Sequence, residues 1–90
     1  MSMNDNADMW SEGLQELTRK MLLDDNAAFP LANGKVGLAL KHVDGRFGYI
    51  NVFDLAYHRW HIRPMREDEG DWEEIFDEVD DLIASGWAVD

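Results

Sequence analysis

The sequence predicts an α+β domain, ordered α-β-β-β-α, with two helices packed on one face of a three- or four-stranded antiparallel β-meander. Three observations predict it. Trp10, Leu14, Leu17 and Met21 recur at the spacing of one helix face, as do Trp72, Ile75, Phe76, Val79, Leu82 and Ile83 near the other end. Between these stretches lie short runs rich in β-branched and aromatic residues, alternating with polar ones. An Asp44-Gly45 pair splits that middle region, and such a pair tolerates the positive φ angles of a tight hairpin turn.

Each element has its own justification. Residues 1–7 read as a flexible tail, and residues 8–90 as a single domain. The first helix is expected over Asp8–Leu23, with Asn6 or Asp8 as its cap and Glu16 paired to Lys20 one turn on. Phe29-Pro30-Leu31 is extended, because the residue before proline avoids the α region. Asn33-Gly34 then turns the chain into a strand over Lys35–Val43. A two-residue turn at Asp44-Gly45 pairs Val43 with Arg46 and Leu40 with Tyr49. Val36, Leu38, Leu40, Phe47 and Tyr49 then share the core face.

After a connection at Phe53–Ala56, Tyr57–Arg63 forms the third strand, which Pro64 ends. Met65–Gly70 is a charged loop. The last helix is expected from Asp71, with Glu74 completing a capping box. Gly86 is expected to close it in the left-handed conformation, with Trp87 folding back on the last turn.

Composition narrows the function classes. The chain has no cysteine, which removes disulfides and thiolate metal sites. No apolar run approaches the roughly 18 residues that span a bilayer. Met1–Asp8 is polar and lacks Lys and Arg, the wrong chemistry for a signal peptide, so a cytoplasmic location is expected. The net charge is −11, from 19 acids and 8 bases. A chain this acidic is repelled by phosphate backbones and anionic membranes, so neither nucleic-acid nor membrane binding is expected.

The charge is also segregated. Residues 1–34 carry a net −4, residues 35–66 a net +4, and residues 67–90 a net −11 with no base at all. On a final helix, Glu73, Glu74, Asp77, Glu78, Asp80 and Asp81 would join Asp71 in a continuous carboxylate face. Like charges at i and i+4 destabilise a helix by about 0.2–0.5 kcal/mol per pair, so such a face is tolerated at a cost. On a helix these acids would be spaced about 2 Å apart along the axis, close to the roughly 1.7 Å per charge of duplex DNA. Asp8, Glu12 and Glu16 form a second acidic row.

Other chemistry is thinner. His58 and His61 fall on opposite faces of a strand, and the acids around Gly70 miss the calcium-loop pattern because Phe76 stands where its final Glu belongs. No metal, cofactor or catalytic residue is therefore assigned, and an enzyme is not expected. Tyr57, Arg59, His61 and Arg63 form a basic and aromatic strip on one strand face. It is a candidate second surface, with pairing to acids of the same molecule the preferred use.

The expected function is a non-catalytic acidic module, a monomer or weak homodimer, that docks its carboxylate face on a basic protein surface. One concrete form is a phage or bacterial inhibitor that occupies a nucleic-acid-binding site. The alternative is a structural or self-associating domain whose acidity confers only solubility, and a third reading is an accessory domain of a small-ligand enzyme.

Overall fold

The computed structural model describes residues 9–24 and 26–90. The expected N-terminal tail, its Asn6 or Asp8 cap and the start of the acidic row at Asp8 lie outside the described residues. Among the described residues the fold is α+β, with helices laid on an antiparallel sheet of six strands.

Helix α1 spans Glu12–Leu22. Ser11 caps it, its Oγ accepting the Leu14 N–H at 3.2 Å. Trp10 stands outside the helix and donates its indole N–H to the Gly86 carbonyl at 2.8 Å. The buried stripe is therefore displaced from the expected one. Thr18 and Leu22 are buried and Leu14 and Met21 pack beside them, whereas Leu17 stays 46% exposed.

The strands are β1 (Phe29–Pro30), β2 (Val36–His42), β3 (Phe47–Asn51), β4 (Trp60–Pro64), β5 (Glu74–Phe76) and β6 (Trp87–Val89). The sheet runs β1-β2-β3-β4-β5, with β6 beside β2. β1 and β6 both lie along the edge of β2 away from β3, at opposite ends of it.

The hairpin between β2 and β3 corrects the expected register. The loop holds three residues, not two: the His42 N–H donates to Arg46 and the Gly45 N–H to His42, both at 2.9 Å. Gly45, at φ 99°, is the extra residue that bulges out of the ladder. Leu38 consequently faces Ile50, and Leu40 faces Gly48. A one-residue slip exchanges the two faces. Ile50 joins the core, and Phe47 turns to the other face, 44% exposed.

Helix α2 (Val52–Ala56) follows β3 directly, with Asn51 accepting the Asp54 N–H at 2.8 Å. Its end is unusual in chemistry. The His58 N–H returns to Leu55 and the Arg59 N–H to Asp54, the paired bonds that close a helix through a left-handed residue. That residue is usually glycine, but here it is His58, at φ 54°. β4 then starts at Trp60, not Tyr57. Its first half pairs with β5, and its last residues pair with β3.

The largest correction concerns the last helix. The segment from Asp71 is not helical at first. Glu67–Glu69 makes a short 3₁₀ turn, Glu74–Phe76 is strand β5, and helix α3 covers only Val79–Ala84. The segment gives up the helical spacing of Trp72, Ile75 and Phe76, because a strand turns Ile75 away from the core, 71% exposed. As a strand it sets Phe76 and Glu74 on the core side, opposite Trp60 and Ile62, and removes the i, i+4 repulsion of Glu73 with Asp77 and Glu74 with Glu78. Gly86 does close α3, at φ 111°, and Trp87 is fully buried. A Cβ there would meet Val43 Cγ2 at 2.8 Å and His42 Nε2 at 2.9 Å, so the position also demands the absence of a side chain.

The core joins Leu22 of α1 and Val79, Leu82 and Ile83 of α3 to Leu38, Leu40, Ile50, Ile62 and Trp87 of the sheet. Both helices thus cover the same face. Among the described residues, no helix is long and apolar enough to cross a membrane.

Candidate functional site

The six acids expected on one helix face divide into three groups. Glu73 and Glu74 flank or form β5, Asp77 and Glu78 sit in the turn that follows, and Asp80 and Asp81 lie on α3. A phosphate-like charge spacing needs a single helical row, and Glu73–Glu78 does not provide one.

Glu74 is committed to the fold. One carboxylate oxygen accepts from Arg46 Nη1 and the other from the Trp87 indole N–H at 3.2 Å. The Arg46 guanidinium lies 4.8 Å from the centre of the Trp72 ring and 5.2 Å from that of Trp87, within cation–π range of both. Its Nε also donates to Asp44 at 2.8 Å. Burial alone would lower the Arg46 pKa, but the hydrogen bonds it donates to Glu74 and Asp44 outweigh it and the net shift is upward. Burial would likewise raise Asp44, yet the backbone N–H and guanidinium of Arg46 hold its carboxyl below the ordinary 3.8.

Glu73 and Asp80 also have partners. Glu73 Oε2 lies 2.8 Å from His61 Nε2 and 3.9 Å from Arg63 Nε. Asp80 receives Arg19 of α1 at 2.7 Å, and Arg19 reaches Glu16 at 3.4 Å. That chain of contacts sets the outer acids of α1 and α3 side by side.

Asp77, Glu78 and Asp81 differ. All three are exposed and, among the described residues, none forms an ion pair. Asp77, Glu78 and Asp80 line a groove of about 370 Å³ with Arg19, His58 and Trp60. The first turn of a helix favours negative charge, which accounts for Asp80 and Asp81. Glu78 occupies the N-cap of α3 without making a side-chain cap bond, a place where Ser or Asp would stabilise the helix more.

The basic strip is brought together and neutralised. Arg59 and Arg63 both donate to Asp54 at 3.1 Å, and Asp54 is only 7% exposed. Tyr57, at the end of α2, lies under Arg59 with 5.2 Å between guanidinium and ring centre, and His61 meets Glu73. Asp54 is the residue sequence reasoning missed. Its signal is the Asn51-x-x-Asp54 spacing that starts α2, with Arg59 returning to its carboxylate across the closing turn. Histidines 58 and 61 stay apart in role, one stacked on Trp60 at 5.5 Å and the other on Glu73. Among the described residues, no group of three or more His, Asp or Glu is placed to hold a metal ion.

No protein-family model, curated protein or solved structure matches this chain.

Proposed function

We propose that this chain is a non-catalytic binding domain that docks Asp77, Glu78 and Asp81, with Glu12 and Glu16 alongside, on a basic protein surface in the cytoplasm. The observation that carries the reading is the unequal use of charge. Arg46, Arg59, Arg63 and Arg66 of the sheet region each meet an acid, yet none reaches Asp77, Glu78 or Asp81. Glu78 supports it further, because a helix selected for stability alone would carry a capping side chain there. Such a surface steers a cationic partner and fixes its orientation, and its grip weakens as salt rises.

The test is capture from a bacterial lysate by the immobilised chain and by a D77N/E78Q/D81N variant across a salt series. Proteins held by the native chain at low salt and lost by the variant, then rebound in purified form, are the expected result. Equal capture by both chains at low salt would remove the acidic-docking reading. If the variant differs only in solubility, the acidity serves solubility alone.

A further inference from the structure

The two borders of the sheet are finished differently. Along β6, the Val89 N–H is taken in the interior by Thr18 Oγ1 at 3.0 Å. Thr18 is itself anchored to the Leu14 carbonyl at 2.7 Å, so α1 closes that border. Along β5 there is no counterpart. Among the described residues, no helix, loop or side chain hydrogen-bonds to the backbone of Glu74–Phe76 beyond its pairing with β4. In an antiparallel edge strand, alternate N–H and C=O groups then point outward and can receive another strand.

The side chains of that edge restrict what can be received. Ile75, opposite His61, faces away from the core and is 71% exposed. Glu73 reaches His61 on that face, and Asp77, just past the strand, borders the same groove as His61 and Ile75. Glu73 uses only Oε2 for His61 and Arg63. A second copy adding antiparallel across Ile75 would set Glu73 against the Asp77 of its neighbour, and like charges directly opposed are unfavourable. A strand with a cation, an apolar residue and a cation at alternate positions would meet Glu73, Ile75 and Asp77 in turn.

We propose that the β5 edge receives an extended basic segment of a protein partner, which adds as a further strand to the sheet. This rests on the reading of a basic protein partner and states how part of it binds. Backbone pairing supplies affinity, and Ile75 with its two flanking acids supplies selectivity for the alternating pattern.

The probe is a short, end-blocked peptide with Lys, Val and Lys at alternate positions and Thr between them, titrated into the full chain and followed by ¹H–¹⁵N NMR. Two control peptides carry backbone N-methyl groups, one at the Lys and Val positions and the other at the Thr positions, with charge unchanged. Strand addition predicts that the amides of Glu74, Ile75 and Phe76 shift. One control should lose at least about tenfold in affinity, because only one parity of amides faces the edge, and Ile75→Lys should lose a similar factor with the rest of the spectrum unchanged.

Equal binding by all three peptides, or shifts confined to Asp77–Asp81 and α1, overturns strand addition while leaving charge docking intact. Absence of binding by the unmodified peptide overturns it as well, and the lysate capture then judges the docking reading separately. Concentration-dependent shifts of the same amides without peptide would identify a second copy as the occupant and overturn the assignment.

Discussion

Glu73–Phe76 and Asp77–Asp81 are neighbours in one acidic run, and they use their charge in opposite ways. In the first stretch, Glu74 is enclosed by Arg46 and Trp87 while Glu73 leans on His61 and Arg63. In the second, only Asp80 has a cation, supplied by α1. The difference teaches that a carboxylate is placed by the strand or helix carrying it as much as by its own chemistry. The strand turns its acids onto cations of the sheet, and the turn and helix that follow leave theirs in water.

Substitutions can sharpen or break this contrast. Glu74→Ala carries the largest expected effect. It leaves Arg46 without its half-buried partner and the Trp87 N–H unbonded, so stability should fall by about 1–2 kcal/mol, read by chemical denaturation. Replacing His58, which borders the groove beside Asp77, by glycine should stabilise the fold by up to about 1 kcal/mol, because the left-handed closing position suits glycine. Glu78→Ser should also stabilise, by about 0.5–1 kcal/mol, by supplying the missing cap, while weakening docking in the capture assay.

Asp77, Glu78 and Asp81 changed together to amides should move stability by no more than about 0.5 kcal/mol, so a large loss would place them with Glu74 and erase the contrast. The smallest effect belongs to Asp44. Its folded pKa is depressed, so its contribution is complete above the ordinary 3.8 and is lost as pH falls through the lower folded value. Asp44→Asn should therefore lower stability slightly at neutral pH, where the contribution is complete, and converge with the native chain at low pH, which flattens the acid limb of an unfolding curve.

How much of this was legible follows the length over which each signal is read. The α+β class, the antiparallel sheet and the glycine closure at Gly86 follow from periodicity and local turn chemistry, whereas Trp87, expected to fold back on the last helical turn, instead opens strand β6. The hairpin register does not, because Asp44-Gly45 serves a two-residue turn and a bulged three-residue loop equally well, and only packing of Ile50 against the helices chooses between them. The strand at Glu74–Phe76 was hidden for a related reason. Its apolar spacing is that of a helix, and the contacts that override it, Trp60 with Phe76 and Arg46 with Glu74, are made by residues far away in sequence. The acid-rich surface was visible as composition, but its division into engaged and unengaged members needed the partners' positions. Asp54 was overlooked because the Asn51-x-x-Asp54 spacing marks a helix start of only five residues and does not show that Arg59 and Arg63 return to its carboxylate.

The contact of Thr18 with Val89 spans 71 residues, and that of Trp10 with Gly86 spans 76. Synthesis proceeds from the amino end, so α1 emerges from the ribosome long before the strand that secures it. Until β6 arrives, the His42 end of β2 lacks its outer partner, since β1 covers only Val36 and Gly37, and the sheet is open there to wrong pairings. The fold is thus latched by the meeting of its first helix and its last strand, and acquires its final order only once that strand is free to pair.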